Sequence, residues 1–189
     1  MTQEIEIEYK NLLTKEEFNH ILKGLPFPEN GITQTNHYFE TEDFFLKQNG
    51  CALRIREKQG KYQLTLKEPH PQGLLETHDA LTKQEALDWI AGNINEKENT
   101  AKQLANKGIS TADLIYYGSL TTERRELHHH DVLVVLDYST YNGKSDYELE
   151  VEAPSEAIGI KAFHSLLETY QIEKKHTPNK IKRFFSSKQ

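Results

Sequence analysis

Acids and bases in this sequence are sorted by segment. Near the start, Glu4, Glu6 and Glu8 alternate with Ile5, Ile7 and Tyr9, and Lys10 closes the run. Near the end, Glu148, Glu150 and Glu152 alternate in the same way with Tyr147, Leu149 and Val151. Between these runs the bias reverses, with Arg54 and Arg56 flanking Ile55, Lys67 closing Gln63-Leu64-Thr65-Leu66, and an Arg124-Arg125 doublet further on. Alternation of period two puts each set on one face of a strand. A solvated strand face screens like charges within about 10 Å, but it usually mixes signs, because opposite charges on paired strands attract. Sorting by strand points instead to a wall of carboxylates and a wall of guanidinium and ammonium groups. Carboxylate oxygens are hard ligands that suit Mg²⁺ or Mn²⁺. Arg forks match phosphate oxygens, and Lys adds a point charge. The ligand that needs both walls is a metal-bound polyphosphate.

The elements that position these residues read as short strands with helices between them. After the first strand, Thr14-Lys15-Glu16-Glu17 is a capping box, followed by Phe18, Ile21, Leu22 and Leu25 at helical spacing, and Pro26 and Pro28 close the helix. Strands are predicted over 33–41, at Ala52–Arg56, around Tyr62–Lys67 after a Gln59-Gly60 turn, and over about 74–80. Glu76 and His78 share one face of the last of these. Thr82-Lys83-Gln84-Glu85 is a second capping box, opening a helix through Trp89 and Ile90 and a polar helical insertion that ends near Gly108. Further strands follow at about 115–129 and 132–138, then an Asn142-Gly143 hairpin turn and the second glutamate run. Pro154-Ser155 starts a long helix with Ile158, Ala162, Phe163, Leu166 and Leu167 inward, and a short basic helix follows Pro178. His128-His129-His130 reads as a turn rather than a zinc site, because three adjacent residues on a strand cannot all face one ion. The expected fold is α+β, mainly β: an eight-stranded antiparallel closed β-barrel with helices packed on the outside. Its interior has room for side chains and one small ligand.

Composition narrows the partners. The chain has 189 residues, enough to bury a core without staples, and its nine Tyr and eight Phe argue against disorder. The single Cys51 forbids an internal disulfide and fits a reducing compartment. No secretory signal and no membrane-length apolar run is evident, so a cytoplasmic protein is expected. A net charge of −6 speaks against general nucleic-acid binding, so any anion site must be a local concentration of Lys and Arg. There is no P-loop, nucleophile elbow or dinucleotide fingerprint. The expected state is a monomer or homodimer.

In order along the chain, Glu6-Ile7-Glu8-Tyr9-Lys10, Tyr38-Phe39-Glu40-Thr41, Leu53-Arg54-Ile55-Arg56, Leu66-Lys67-Glu68, Arg124-Arg125, Asp137, the Glu148 to Glu152 run and Lys180 resemble the CYTH superfamily of triphosphate tunnel metalloenzymes. The set most resembles the small bacterial branch often labelled as adenylate cyclases. The resemblance implies one tunnel domain over residues 1–189, with the helical insertion at about 82–110 outside the shared signature. It implies metal ligation by Glu6, Glu8, Glu148 and Glu150, with Glu152 competing and Asp137 completing the acidic wall. It implies phosphate binding by Arg54, Arg56, Lys67, Arg125 or Arg124, and Lys180 chosen from Lys180, Lys182 and Arg183. Lys10 would touch phosphate or orient the acids.

The expected chemistry is Mg²⁺- or Mn²⁺-dependent cleavage of the terminal phosphate of a triphosphate. Family analogy favours inorganic triphosphate or a small organic one such as thiamine triphosphate. Glu6, Glu8, Lys10, Arg56 and Lys67 form the expected catalytic set, and the cationic wall absorbs the developing charge. Two rivals use the same residues: an adenylate cyclase making cyclic AMP from ATP, and a polyphosphate-binding module without turnover.

Overall fold

The computed structural model describes residues 2–188. In chain order the elements are β1 (Gln3–Glu6), β2 (Glu8–Leu13), α1 (Lys15–Gly24), β3 (Ile32–Thr41), α2 (Phe45–Gln48), β4 (Ala52–Lys58), β5 (Lys61–His70), β6 (Gly73–Leu81), α3 (Lys83–Ile90), α4 (Glu98–Asn106), β7 (Leu114–His129), β8 (Val132–Tyr141), β9 (Lys144–Glu152), α5 (Glu156–Thr169) and α6 (Lys180–Ser186). The fold is mainly β, with nine strands among the described residues rather than the expected eight. The difference lies at the start, where the single strand expected over Glu4–Lys10 is interrupted at Ile7 and becomes β1 and β2. The chain forms two compact units.

The first unit contains the N-terminal residues through Ile5 and Gln34–Leu120. Its strands run in the order β1-β6-β5-β4-β3, followed by the leading part of β7. β3, β4, β5 and β6 pair antiparallel, with Asn36 opposite Arg56, Arg54 opposite Thr65 and Thr65 opposite His78. This register gives the sheet two unlike faces. Leu53, Ile55, Leu64 and Leu66 are fully buried and join a core with Phe39, Trp89 and Leu104. Trp89 comes from α3 and Leu104 from α4, so helices cover the apolar face as the sequence pattern requires. The Thr82 capping box forms as expected, with reciprocal bonds to Glu85 of 3.1 and 3.0 Å. Lys97 gives α4 no side-chain cap, and Asp79 of β6 supplies one, accepting from Thr100 N and Oγ1, each at 2.8 Å. The expected helix across 92–109 is realised only over Glu98–Asn106.

The second unit contains Glu6–Thr33 and the chain from Thr121 onward. The trailing part of β7 pairs with β8, β8 with β9 and β9 with β2, all antiparallel. Val134, Leu136, Leu149 and Val151 form the apolar face, packed against Phe18 and Ile21 of α1 and Phe163, Leu166 and Leu167 of α5. Burial of each such side chain contributes about 1.5–3 kcal/mol. Ile158 departs from the expected inner face of α5: it is 37% exposed, and Gly159 is buried in its place. A Cβ at Gly159 would come within 2.5 Å of the Tyr9 ring, so only glycine admits this helix–strand approach. The Asn142-Gly143 turn has positive φ at both residues (48° and 76°), as a tight two-residue hairpin demands. His128 and His129 end β7, and His130 turns the chain at φ 53°.

Candidate functional site

In the second unit the alternation of β9 resolves the acid register. Glu8 lies opposite Glu152, and Asp137 lies opposite Glu148. The six expected metal ligands divide into two triads. Glu6, Glu8 and Glu152 converge with ligand oxygens within 4.8 Å of one another, and so do Asp137, Glu148 and Glu150.

The surroundings of the two triads differ. The Asp137 triad is filled by cations. Lys180 Nζ lies 2.8 Å from Asp137 and 2.6 Å from Glu150, and it donates to Glu148 as well. Arg124 forks onto both Asp137 oxygens at 2.8 and 2.7 Å and reaches Glu150 at 3.4 Å. Arg183 binds Glu148 at 2.8 Å and Asp146 at 3.0 Å. Asp137 and Glu148 are fully buried, so each needs these partners. Glu150 sits well below the usual carboxylate range: burial pushes it up, and Lys180 and Arg124 more than offset this. Glu148 goes the other way, to about 7, because burial outweighs its share of Lys180.

The Glu6–Glu8–Glu152 triad has a different charge balance. Burial, then the charges of Glu6 and Glu150, push Glu152 up to about 7. Lys10 lies 3.5 Å from Glu8 and bonds Asn179 at the start of α6. Three converging carboxylates, one of them with its pKa raised to about 7 by burial and by its neighbours, fit a divalent cation of the oxygen-loving kind. The Asp137 triad, which also converges within 4.8 Å, holds an ammonium and a guanidinium in this arrangement. Because the folded pKa of Glu152 lies above its ordinary value, the metal-free fold loses stability as pH rises from about 4.5 to 7. Glu152→Gln is expected to raise the Tm of chelator-treated protein at pH 8 by a few degrees, from roughly 1–2 kcal/mol after allowance for solvent screening, while weakening Mn²⁺ binding in a titration.

The Arg doublet is also resolved. Arg124 shares the face of Asp137. Arg125 points the other way, to the Glu29 carbonyl at 3.2 Å and Glu123 at 3.0 Å, so of the doublet it is Arg124 that meets Asp137 and Glu150. Of the tail cations, Lys180 and Arg183, one helical turn apart, both face the acids, and Lys182 is exposed.

In the first unit Arg54, Arg56 and Lys67 share the polar face of β4 and β5. Arg54 lies 3.8 Å from Glu76, and Arg56 donates its Nε to Asn36 Oδ1 at 2.9 Å. Thr65 Oγ1 meets His78 Nδ1 at 2.8 Å, and His78 Nε2 meets Glu4 at 2.9 Å. Asn36 is a site residue that the sequence does not mark. The run Thr33-Gln34-Thr35-Asn36-His37 is polar on both faces, so no period marks Asn36. Arg183, an alternative to Lys180 in the sequence, joins it at the acids.

Comparison with known proteins gives the kinship of the chain. The family model for the CYTH domain matches residues 4–185. The chain is 47% identical over 189 residues to YjbK of Bacillus subtilis, provisionally named a triphosphatase, covering all of this chain and 98% of that one. A crystal structure from Bacillus halodurans, provisionally named an adenylate cyclase, superposes with a TM-score of 0.94 at 42% identity, covering 98% of this chain and all of that one. The Hippeastrum protein HpAC1, described as a candidate adenylyl cyclase with a dominant triphosphatase activity, shares the fold at a TM-score of 0.81 and 22% identity, with 96% of each chain covered. No helix among the described residues is long and apolar enough to cross a membrane. The ordered acid and base runs and the match over nearly the whole chain lead to one assignment: this chain belongs to the CYTH family.

Proposed function

We propose that this protein is a divalent-metal-dependent triphosphatase that removes the terminal phosphate of inorganic triphosphate or a small organic triphosphate. The observation that carries the reading is the Glu6–Glu8–Glu152 triad, three carboxylates converging within 4.8 Å with the pKa of Glu152 raised to about 7. Kinship with a relative bearing a triphosphatase name, at 47% identity, supports it. Glu6, Glu8 and Glu152 would hold Mg²⁺ or Mn²⁺, and Arg54, Arg56 and Lys67 would bind phosphate oxygens. The bound ion would screen the phosphate charge and polarise its oxygens.

The chain's own residues do the rest. Asn36 accepts from Arg56 Nε and so fixes the plane of the guanidinium. Lys10 steadies Glu8. Arg124, Lys180 and Arg183 are committed to acids, and their role is to keep Asp137 and Glu150 charged and to hold Glu148 in place beside them. Positioning and charge stabilisation are what phosphoryl transfer asks of a protein.

The test is a phosphate-release screen of inorganic triphosphate, thiamine triphosphate and ATP with Mg²⁺, Mn²⁺ or chelator. Orthophosphate released only with metal is the expected result. Cyclic AMP and pyrophosphate from ATP would make the protein a cyclase, the activity in the name of the Bacillus halodurans relative. Tight binding of triphosphate with no product under any metal would make it a binding module.

A further inference from the structure

Gln34 has no role in the chemistry above, and its burial is costly. It is 2% exposed, and its Nε2 is buried with no hydrogen-bond partner among the described residues. Buried amides are normally paired, so an orphan donor calls for a specific cause. Its position supplies one. Gln34 sits two residues before Asn36 on β3, so the two side chains share a face. Asn36 lies opposite Arg56 and bonds it, which fixes that face as the one carrying the cations. Gln34 itself lies opposite Lys58. The polar face is therefore built in steps along the strands: an Arg54 step, an Arg56 step, then a Gln34–Lys58 step, each about 7 Å from the last.

We propose that Gln34 is a specificity-determining contact, donating its amide N–H to an acceptor oxygen on the part of the substrate that extends beyond the triphosphate. This rests on the triphosphatase reading. A triphosphate engaged by Arg54, Arg56 and Lys67 is already served by charged donors. The Gln34 step lies one further along, and there the orphan donor is a neutral amide. A neutral amide N–H suits an ester, hydroxyl or carbonyl oxygen, and it donates to the oxygen of a further phosphate too. A site built to hydrogen-bond an oxygen discriminates strongly against a ligand that lacks it, because its own buried polar group then stays unpaired.

The test compares binding of inorganic triphosphate, inorganic tetraphosphate and ATP to wild type and Gln34→Leu by calorimetry in Ca²⁺, with Tm measured alongside. The expected result is a loss of about tenfold or more for ATP, tetraphosphate or both, with inorganic triphosphate held within about twofold. Loss for ATP alone identifies an organic extension, and loss for tetraphosphate a phosphate one. Tm should hold or rise, since the variant removes an unpaired donor, whereas a purely structural glutamine would lower it. Equal losses for all three ligands, no loss for any, or a wild type that binds triphosphate but neither longer ligand would overturn the proposal while leaving the triphosphatase reading intact. A wild type that binds no triphosphate at all would overturn that reading first.

Discussion

Glu8→Gln is expected to reduce metal-dependent phosphate release by about 10³-fold or more while leaving the fold in place. The change keeps the shape of the side chain and removes one of three carboxylates that converge within 4.8 Å. A metal polarising phosphate oxygens supplies several kcal/mol of transition-state stabilisation, and each 1.4 kcal/mol is about tenfold in rate. The loss should appear as weaker Mn²⁺ binding and a higher metal requirement in the phosphate-release assay. Thermal stability without metal should not fall, because one of three mutually repelling charges is gone. Unchanged turnover and unchanged Mn²⁺ affinity would remove this triad from the mechanism.

Lys180→Met should have the largest effect on stability. Lys180 contacts Asp137, Glu148 and Glu150 at once, and its own pKa stands well above the usual lysine value because those three acids outweigh its burial. Removing one partner of a buried ionic cluster costs about 3–5 kcal/mol, since the remaining charges are left uncompensated. The pH dependence has a definite sign. Asp137 and Glu150 are depressed in the wild-type fold, so the stability they contribute is present above about pH 4 and lost as pH falls through their folded values. Glu148, raised to about 7, works oppositely and costs stability as pH rises from about 4.5 to 7. Without Lys180 all three acids shift upward. The deficit of the variant against wild type should therefore be greatest above pH 7 and shrink as pH falls toward 4. Urea denaturation at pH 5 and pH 8 reads this directly. A deficit independent of pH would mean that packing, not charge, holds α6 in place.

Alternation made much of this legible. The helices announced themselves through capping boxes at Thr14 and Thr82, and the strand faces through Leu53/Ile55 against Arg54/Arg56. The same alternation placed the acids on one face, but it could not say which of Glu148, Glu150 and Glu152 would meet Glu6 and Glu8. That depends on the pairing of Glu8 with Glu152, a long-range register between β2 and β9. Doublets defeat the method for another reason. Arg124 and Arg125 necessarily face opposite ways, and only the opposing Asp137 selects between them. The break at Ile7 left no sign in the residues themselves, because the alternation continues through it. Polar partners such as Asn36 were invisible because their neighbours are polar on both faces.

Glu40 shows that a shared motif and a working site are different things. Its carboxylate is buried and accepts backbone N–H groups from Thr41 at 2.8 Å, Leu46 at 3.0 Å and Lys47 at 2.9 Å. It thereby anchors the start of α2, where Phe44 adopts a left-handed backbone and offers no cap of its own. The Tyr-Phe-Glu-Thr string that helps mark the lineage is thus, at its glutamate, masonry rather than machinery. An inventory of inherited letters would place this acid beside Glu6 and Glu8, although what it grips is the chain's own turn from Thr41 to Lys47.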